Sequence, residues 1–209
     1  MRYSAAQKLY SENAVDGRKR SAVGGLPKRL VDVVIAASAL IVLAPVLVLT
    51  GVLIRLVLGS PILMTERSVG LGGQVFALLS FRTEPNSSSS AGPWTEAVTT
   101  ALRAAGIDRL PQLYNVVRSD MSLVGPELVD AQHALQYGME GPELLLARPG
   151  LVSFRRQALH ILGPSTGEIG LERLYVLRWS MWLDLRILWG ALARTHAADT
   201  DQARQITSL

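Results

Sequence analysis

The feature that most restricts the fold is an uncharged run of 22 residues, Val33 to Ile54 (VVIAASALIVLAPVLVLTGVLI), with Lys28, Arg29 and Asp32 before it and Arg55 after it. About twenty consecutive apolar residues are enough to cross the hydrocarbon core of a bilayer as a helix. The rest of the chain must therefore be arranged around a membrane segment. The run starts well inside the chain, exceeds the length of a signal-peptide core and lacks a small-x-small site after it, which argues against a cleaved leader. Pro45 lies near its middle, where it removes one backbone hydrogen bond and crowds the carbonyl of Ile41, so a bend is expected there. At 1.5 Å per residue, Val33 to Ala44 and Val46 to Leu58 each reach roughly 18 to 20 Å, short of the roughly 30 Å core. A re-entrant hairpin would bring Arg29 and Arg55 to headgroups on one face, whereas a straight span would separate the ends. Proline-kinked spans are common, and the residues leave both arrangements open.

Residues 1–27 read as a mobile basic arm with Arg18-Lys19-Arg20, ending in Gly24-Gly25-Leu26-Pro27. A membrane helix over 28–58, a further domain over 59–194 and a polar tail over 195–209 complete the expected organisation. The chain is 49% hydrophobic and 18% charged, too apolar for a disordered segment. It has no cysteine, which removes disulfides, thiolate metal sites, iron–sulfur clusters and thiol nucleophiles. His133, His160 and His196 show no ligand spacing, so neither a histidine metal site nor a Ser-His-Asp triad is supported. A net charge of +4 comes without zinc spacing, an aromatic RNA-binding strand or a basic helix, so no nucleic-acid partner is expected.

Beyond Gly59-Ser60-Pro61, two β-prone runs flank Gly70-Leu71-Gly72-Gly73, the pattern of a small β-hairpin. Pro85 to Pro93 reads as a loop, and Trp94 to Ala105 as a helix closed by Gly106 with Ala97, Ala101 and Ala104 on one face. Asp108 is placed to N-cap a helix that tolerates Pro111 in its first turn and carries a Leu110, Leu113, Tyr114, Val117 stripe. Leu171 to Arg194 reads as one long helix. Its apolar face is Leu174, Leu177, Met181, Leu185, Leu188 and Leu192, with Trp179, Trp182 and Trp189 alongside. Such a helix suits either the headgroup boundary or an ordinary core.

An ordered series of strings between Lys28 and Arg194 resembles the bacterial sugar transferase family, the monotopic polyprenyl-phosphate phosphoglycosyl transferases. The series is Lys28-Arg29-Leu30-Val31-Asp32, Phe81-Arg82-Thr83, Asp108 with Leu110-Pro111-Gln112-Leu113-Tyr114-Asn115-Val116, Asp120-Met121-Ser122-Leu123-Val124-Gly125-Pro126, Arg148-Pro149-Gly150 and Trp179-Ser180-Met181-Trp182-Leu183-Asp184-Leu185. The resemblance implies an α/β, mostly helical fold with a re-entrant membrane helix bent at Pro45. A small hairpin and a catalytic part with amphipathic interfacial helices would lie on the cytoplasmic face of the bacterial inner membrane. It further implies transfer of a sugar 1-phosphate from a nucleotide diphosphate sugar to undecaprenyl phosphate, initiating exopolysaccharide or other glycoconjugate assembly. Asp108 would be the nucleophile that forms a phospho-aspartyl intermediate, with Mg²⁺ assisting. Membrane lipids would be partners, and a homo-oligomer is compatible with the pattern.

A carboxylate attacking a diphosphate meets charge repulsion, so the site must present cations and N–H groups to the nonbridging oxygens. Arg82 and Arg148 match arginines of the family strings, and Gly125-Pro126 matches its substrate loop. Position 109 departs from the family: Arg109 stands where the family has glutamate, the second member of an acidic pair. A guanidinium neither coordinates Mg²⁺ nor accepts a proton, though it can neutralise a diphosphate directly. Other departures are Ser68, Ser80 and Gly125-Pro126-Glu127-Leu128, while Arg155 and Arg156 could restore positive charge. The alternative is a membrane paralogue without turnover that acts as a scaffold or regulatory partner in polysaccharide biosynthesis.

Overall fold

A computed structural model of the chain describes residues 23–84, 92–129, 145–155, 168–191 and 193. The basic arm up to residue 22, the loop over 85–91, the three histidines, Arg156, Leu192, Arg194 and the polar tail lie outside the described residues.

The apolar run forms one helix, α1 (Gly25–Val57), of 33 residues with Pro45 inside it. It opens before the expected boundary at Lys28 because Gly24, at φ +78, turns the chain, and Pro27 occupies a first-turn position whose N–H has no helical acceptor. The inward stripe is Lys28, Asp32, Ala36, Thr50 and Ile54. Ala39, Leu40 and Leu43 join the core of Ala36, Leu78, Leu113, Val116, Met121 and Leu123. Leu47 and Leu58 pack on a second cluster of Ile54, Phe81 and Leu102. Segments on both sides of Pro45 thus rest on the folded body. The outer face stays apolar and uncovered, with Ile41 77% and Leu56 79% exposed.

The hairpin forms as expected: β1 (Leu63–Val69) pairs antiparallel with β2 (Val75–Phe81), Leu63 opposite Phe81 and Val69 opposite Val75. Gly72 (φ +68) and Gly73 (φ +77) adopt the left-handed conformation that the tight connection requires. Helix α2 (Pro93–Ala104) ends at Gly106, but its alanine face points outward: Ala97, Ala101 and Ala104 are exposed. Leu102 and Val98 face the second cluster instead, because a leucine and a valine bury more apolar area than methyl groups.

After α3 (Gln112–Val117), β3 (Ser122–Gly125) pairs parallel with β4 (Gly150–Ser153). The two backbones approach so closely at Gly125 that a Cβ there would lie 2.7 Å from the Gly150 nitrogen. The expected single C-terminal helix is two, α4 (Glu168–Leu177) and α5 (residues 181–191). Ser180 makes the break, its Oγ accepting the Leu183 N–H at 3.1 Å as an N-cap. Trp179, in the break, is half-buried, while Trp182 and Trp189 face outward beside Leu185.

Candidate functional site

Asp108 sits on a single 3-10 turn, Ile107–Arg109, between α2 and α3. Gly106 at φ +69 redirects the chain, and the Leu110 N–H closes onto the Ile107 carbonyl at 3.1 Å. Ile107 packs with Ile54, Phe81 and Leu102, which pins the turn to α1 and to the end of β2. The expected capping role of Asp108 is not realised, since α3 starts at Gln112 and no side chain caps it. Successive i+3 bonds, from Leu113 to Leu110 and from Tyr114 to Pro111, tighten the entry, and Pro111 has no N–H to extend an α pattern. The carboxylate is left free of the backbone. Its Oδ1 is buried without a hydrogen-bond partner.

Arg82 follows Phe81 directly, on the strand end that packs against the same turn. Only 3% exposed, it donates through Nε to the Glu84 carbonyl at 2.9 Å and through Nη1 to the Ser60 carbonyl at 3.0 Å. Its Nη2 is buried and unpartnered, as is Oε1 of Gln112 on the first turn of α3. Buried polar atoms are nearly always paired, and one left unpaired costs about 1–3 kcal/mol. A guanidinium nitrogen of Arg82 and a carboxylate oxygen of Asp108 are thus both unspent, on segments joined through the packing of Phe81 with Ile107. Arg109 is exposed on the same turn, with no side-chain partner among the described residues.

Gly125, Pro126 and Arg148 form a different group, beside β3 and β4. Gly125 and Pro126 are buried, and the Pro126 carbonyl accepts the Gly150 N–H at 2.9 Å. Arg148 donates through Nε to the Ser119 carbonyl at 2.9 Å and lines a narrow recess with Lys28, Arg29, Asp32, Ser122 and Tyr175. Arg29 turns its guanidinium toward the folded body. It donates to the carbonyls of Val116, Val117 (3.2 Å) and Met121 (3.0 Å), where a cation offsets the negative end of α3.

Behind that recess is a buried polar network that the sequence did not announce. Asp184 on α5 accepts from Lys28 Nζ at 2.5 Å, Trp179 Nε1 at 2.9 Å and the Tyr175 hydroxyl at 2.8 Å. Asp32 accepts from Ser122 Oγ at 2.6 Å. Burial, reinforced by the Asp184 carboxylate, pushes the Tyr175 phenol far above its ordinary value and keeps it a donor. The signal available in the sequence was Lys28 four residues before Asp32 and Ser180 four before Asp184, in two strings at opposite ends of the chain.

The family profile described as bacterial sugar transferase matches residues 23–197. This chain belongs to that family. It is 37% identical over 179 residues to the UDP-glucose:undecaprenyl-phosphate glucose-1-phosphate transferase of Caulobacter vibrioides, covering 78% of this chain and 67% of the relative. It is 31% identical to the exopolysaccharide production protein ExoY of Sinorhizobium fredii, over 80% of this chain and 84% of that protein. The undecaprenyl-phosphate glucose phosphotransferase of Komagataeibacter xylinus is 30% identical over 81% of this chain, which spans 36% of that longer relative.

The donor set offers little to Mg²⁺. Among the described residues no three His, Asp or Glu side chains gather into a metal site, and the neighbour of Asp108 is a cation. Mg²⁺ keeps most of its waters and takes one or two carboxylates beside a substrate's phosphates, and Asp108 is the one carboxylate on this turn, so no step is assigned to a metal.

Glu172 on α4 is 1% exposed and accepts the Glu127 N–H at 2.9 Å, with Arg155 Nε 3.8 Å from the same oxygen. Burial first, then the Glu127 charge, push its carboxyl from 4.5 up to about 7, against the opposing backbone bond. Below pH 4.5 both folded and unfolded chains carry this proton. Between 4.5 and about 7 the unfolded chain releases it first, so stability falls as pH rises and levels off above that range. Relative to Glu172→Gln, the wild type is expected to lose on the order of 2 kcal/mol between pH 5 and 8. Paired urea denaturation curves in detergent check the difference, and a pH-independent gap would contradict it.

Proposed function

We propose that this chain transfers a sugar 1-phosphate from a nucleotide diphosphate sugar to undecaprenyl phosphate in two displacements. One Asp108 carboxylate oxygen attacks the phosphorus bearing the sugar, the bond to the nucleoside phosphate breaks, and the nucleoside monophosphate leaves with the electron pair. An oxygen of the lipid phosphate then attacks the phospho-aspartyl phosphorus and returns the carboxylate. The observation that carries this reading is the buried, unpartnered Asp108 Oδ1 on a turn whose Ile107 packs with Phe81, the residue before Arg82, whose Nη2 is equally unpartnered. The names of the relatives, which specify UDP-glucose and undecaprenyl-phosphate transfer, support the donor and acceptor classes.

The chain acts from the cytoplasmic face of the inner membrane as a monotopic protein. Supporting this, segments of α1 on both sides of Pro45 pack against one folded body, which a straight span would have to draw into the bilayer. At 33 residues α1 would be roughly 50 Å long if straight, well beyond the roughly 30 Å hydrocarbon core. The outward face of Trp182, Leu185 and Trp189 suits the headgroup layer, where indole rings sit with one edge wet.

Purified protein in detergent, given labelled UDP-glucose and undecaprenyl phosphate, is expected to yield labelled lipid and UMP. Folded protein that labels no lipid with any of several nucleotide sugars would overturn the enzyme reading and leave the scaffold or regulatory one.

A further inference from the structure

We propose that Arg109, with the unpartnered Nη2 of Arg82, holds the donor's diphosphate, so that the first displacement in this chain proceeds without a divalent cation. The inference rests on Asp108 being the nucleophile of the proposed transfer.

Three observations converge on it. Arg109 is the neighbour of Asp108 on a three-residue turn, exposed and without a side-chain partner among the described residues, so its charge is available to an incoming ligand. Arg82 is almost entirely buried, its Nε and Nη1 are committed to backbone carbonyls, and its remaining nitrogen has no acceptor. Holding a buried guanidinium in that way is costly unless an anion completes it. Finally, no three His, Asp or Glu side chains gather into a metal site among the described residues. Asp120 pairs with Arg118 at 3.3 Å and approaches Asn115 Nδ2 at 3.4 Å, and Glu96 is exposed in the first turn of α2.

The chemistry needs no further component. A carboxylate attacks phosphorus without giving up a proton, so the first displacement requires no general base. One P–O bond forms to Asp108 Oδ1 or Oδ2 and one breaks to the nucleoside phosphate. What the site must supply is positive charge along the bond that breaks, and two guanidinium groups match the two negative charges of a diphosphate. The planar fork of Arg109 can also bind two oxygens, giving orientation that a lone ammonium lacks, while Arg82 offers its one remaining nitrogen.

The test uses the full chain in detergent after exhaustive EDTA treatment, with UDP-glucose and undecaprenyl phosphate for transfer and UDP alone for calorimetric binding. Transfer in EDTA is expected within about 2-fold of the rate with added Mg²⁺, and UDP is expected to bind in EDTA. Arg109→Ala is expected to weaken UDP at least about 10-fold, the scale of one charge-assisted contact, with no change in thermal midpoint. Arg109→Lys should recover part of that loss, and Arg109→Glu should make both binding and transfer depend on Mg²⁺. Transfer that collapses in EDTA and returns with Mg²⁺ would overturn the inference, as would UDP binding that needs Mg²⁺ or ignores Arg109→Ala. Absence of transfer in every buffer would instead refute the enzyme reading, and the UDP titrations would still decide the role of Arg109.

Discussion

Asp108→Asn is expected to lose roughly 10³-fold or more of its transfer activity while its thermal midpoint stays where the wild type's is. The loss follows from nucleophilicity: an amide oxygen in the same position does not form the acyl phosphate, and removing a covalent nucleophile costs far more than removing a helper. The unchanged stability follows from the geometry. Oδ1 of Asp108 has no hydrogen bond to lose, and the turn is held by backbone bonds and by Ile107 in the apolar cluster. Transfer assays and thermal melts on one preparation check both halves. Retained turnover would mean the nucleophile lies elsewhere.

Asp184→Ala should behave in the opposite way, unfolding the protein without touching the reacting atoms. Asp184 is 5% exposed and takes hydrogen bonds from α1, α4 and the residue between α4 and α5. Without it, buried Lys28 keeps Asp32, 3.8 Å away, and the face of the Trp179 ring, while the Tyr175 hydroxyl and Trp179 indole N–H lose an acceptor. Breaking one partner out of a buried ion pair costs about 3–5 kcal/mol, which for a chain of this size lowers the midpoint by roughly 6–20 °C. Asp184→Asn, which keeps acceptor atoms but not the charge, should fall between. A midpoint within 2 °C of wild type for the alanine variant would show that this network does not tie the membrane helix to the C-terminal helices.

The contrast between these two aspartates explains which parts of the molecule were legible beforehand. The apolar run, the hairpin around Gly70-Leu71-Gly72-Gly73 and the end of α2 at Gly106 are written in local chemistry, and they formed where expected. The Asp108 turn was half legible. Its residues marked a helix start, but Pro111 and the i+3 bonds moved that start to Gln112 and released the carboxylate. The parallel pairing of Ser122–Gly125 with Gly150–Ser153 was not legible, because four-residue strands joined across a long stretch leave no periodic signature. Neither was the Lys28, Asp32, Asp184 network, whose members are individually ordinary charged residues and acquire meaning only when the two ends of the chain meet. Arg29 shows the same limit. Next to an apolar helix it reads as a headgroup ligand, and the structure gives it two carbonyls at the end of α3 and that of Met121.

Whether Asp108 captures the sugar phosphate covalently is decided most directly by intact-protein and peptide mass spectrometry after mixing the chain with UDP-glucose in the absence of lipid. The expected result is a hexose-phosphate adduct on the peptide bearing Asp108, discharged when undecaprenyl phosphate is added and missing from Asp108→Asn. Lipid product formed without any such adduct accumulating beforehand, or an adduct on another residue, would contradict it.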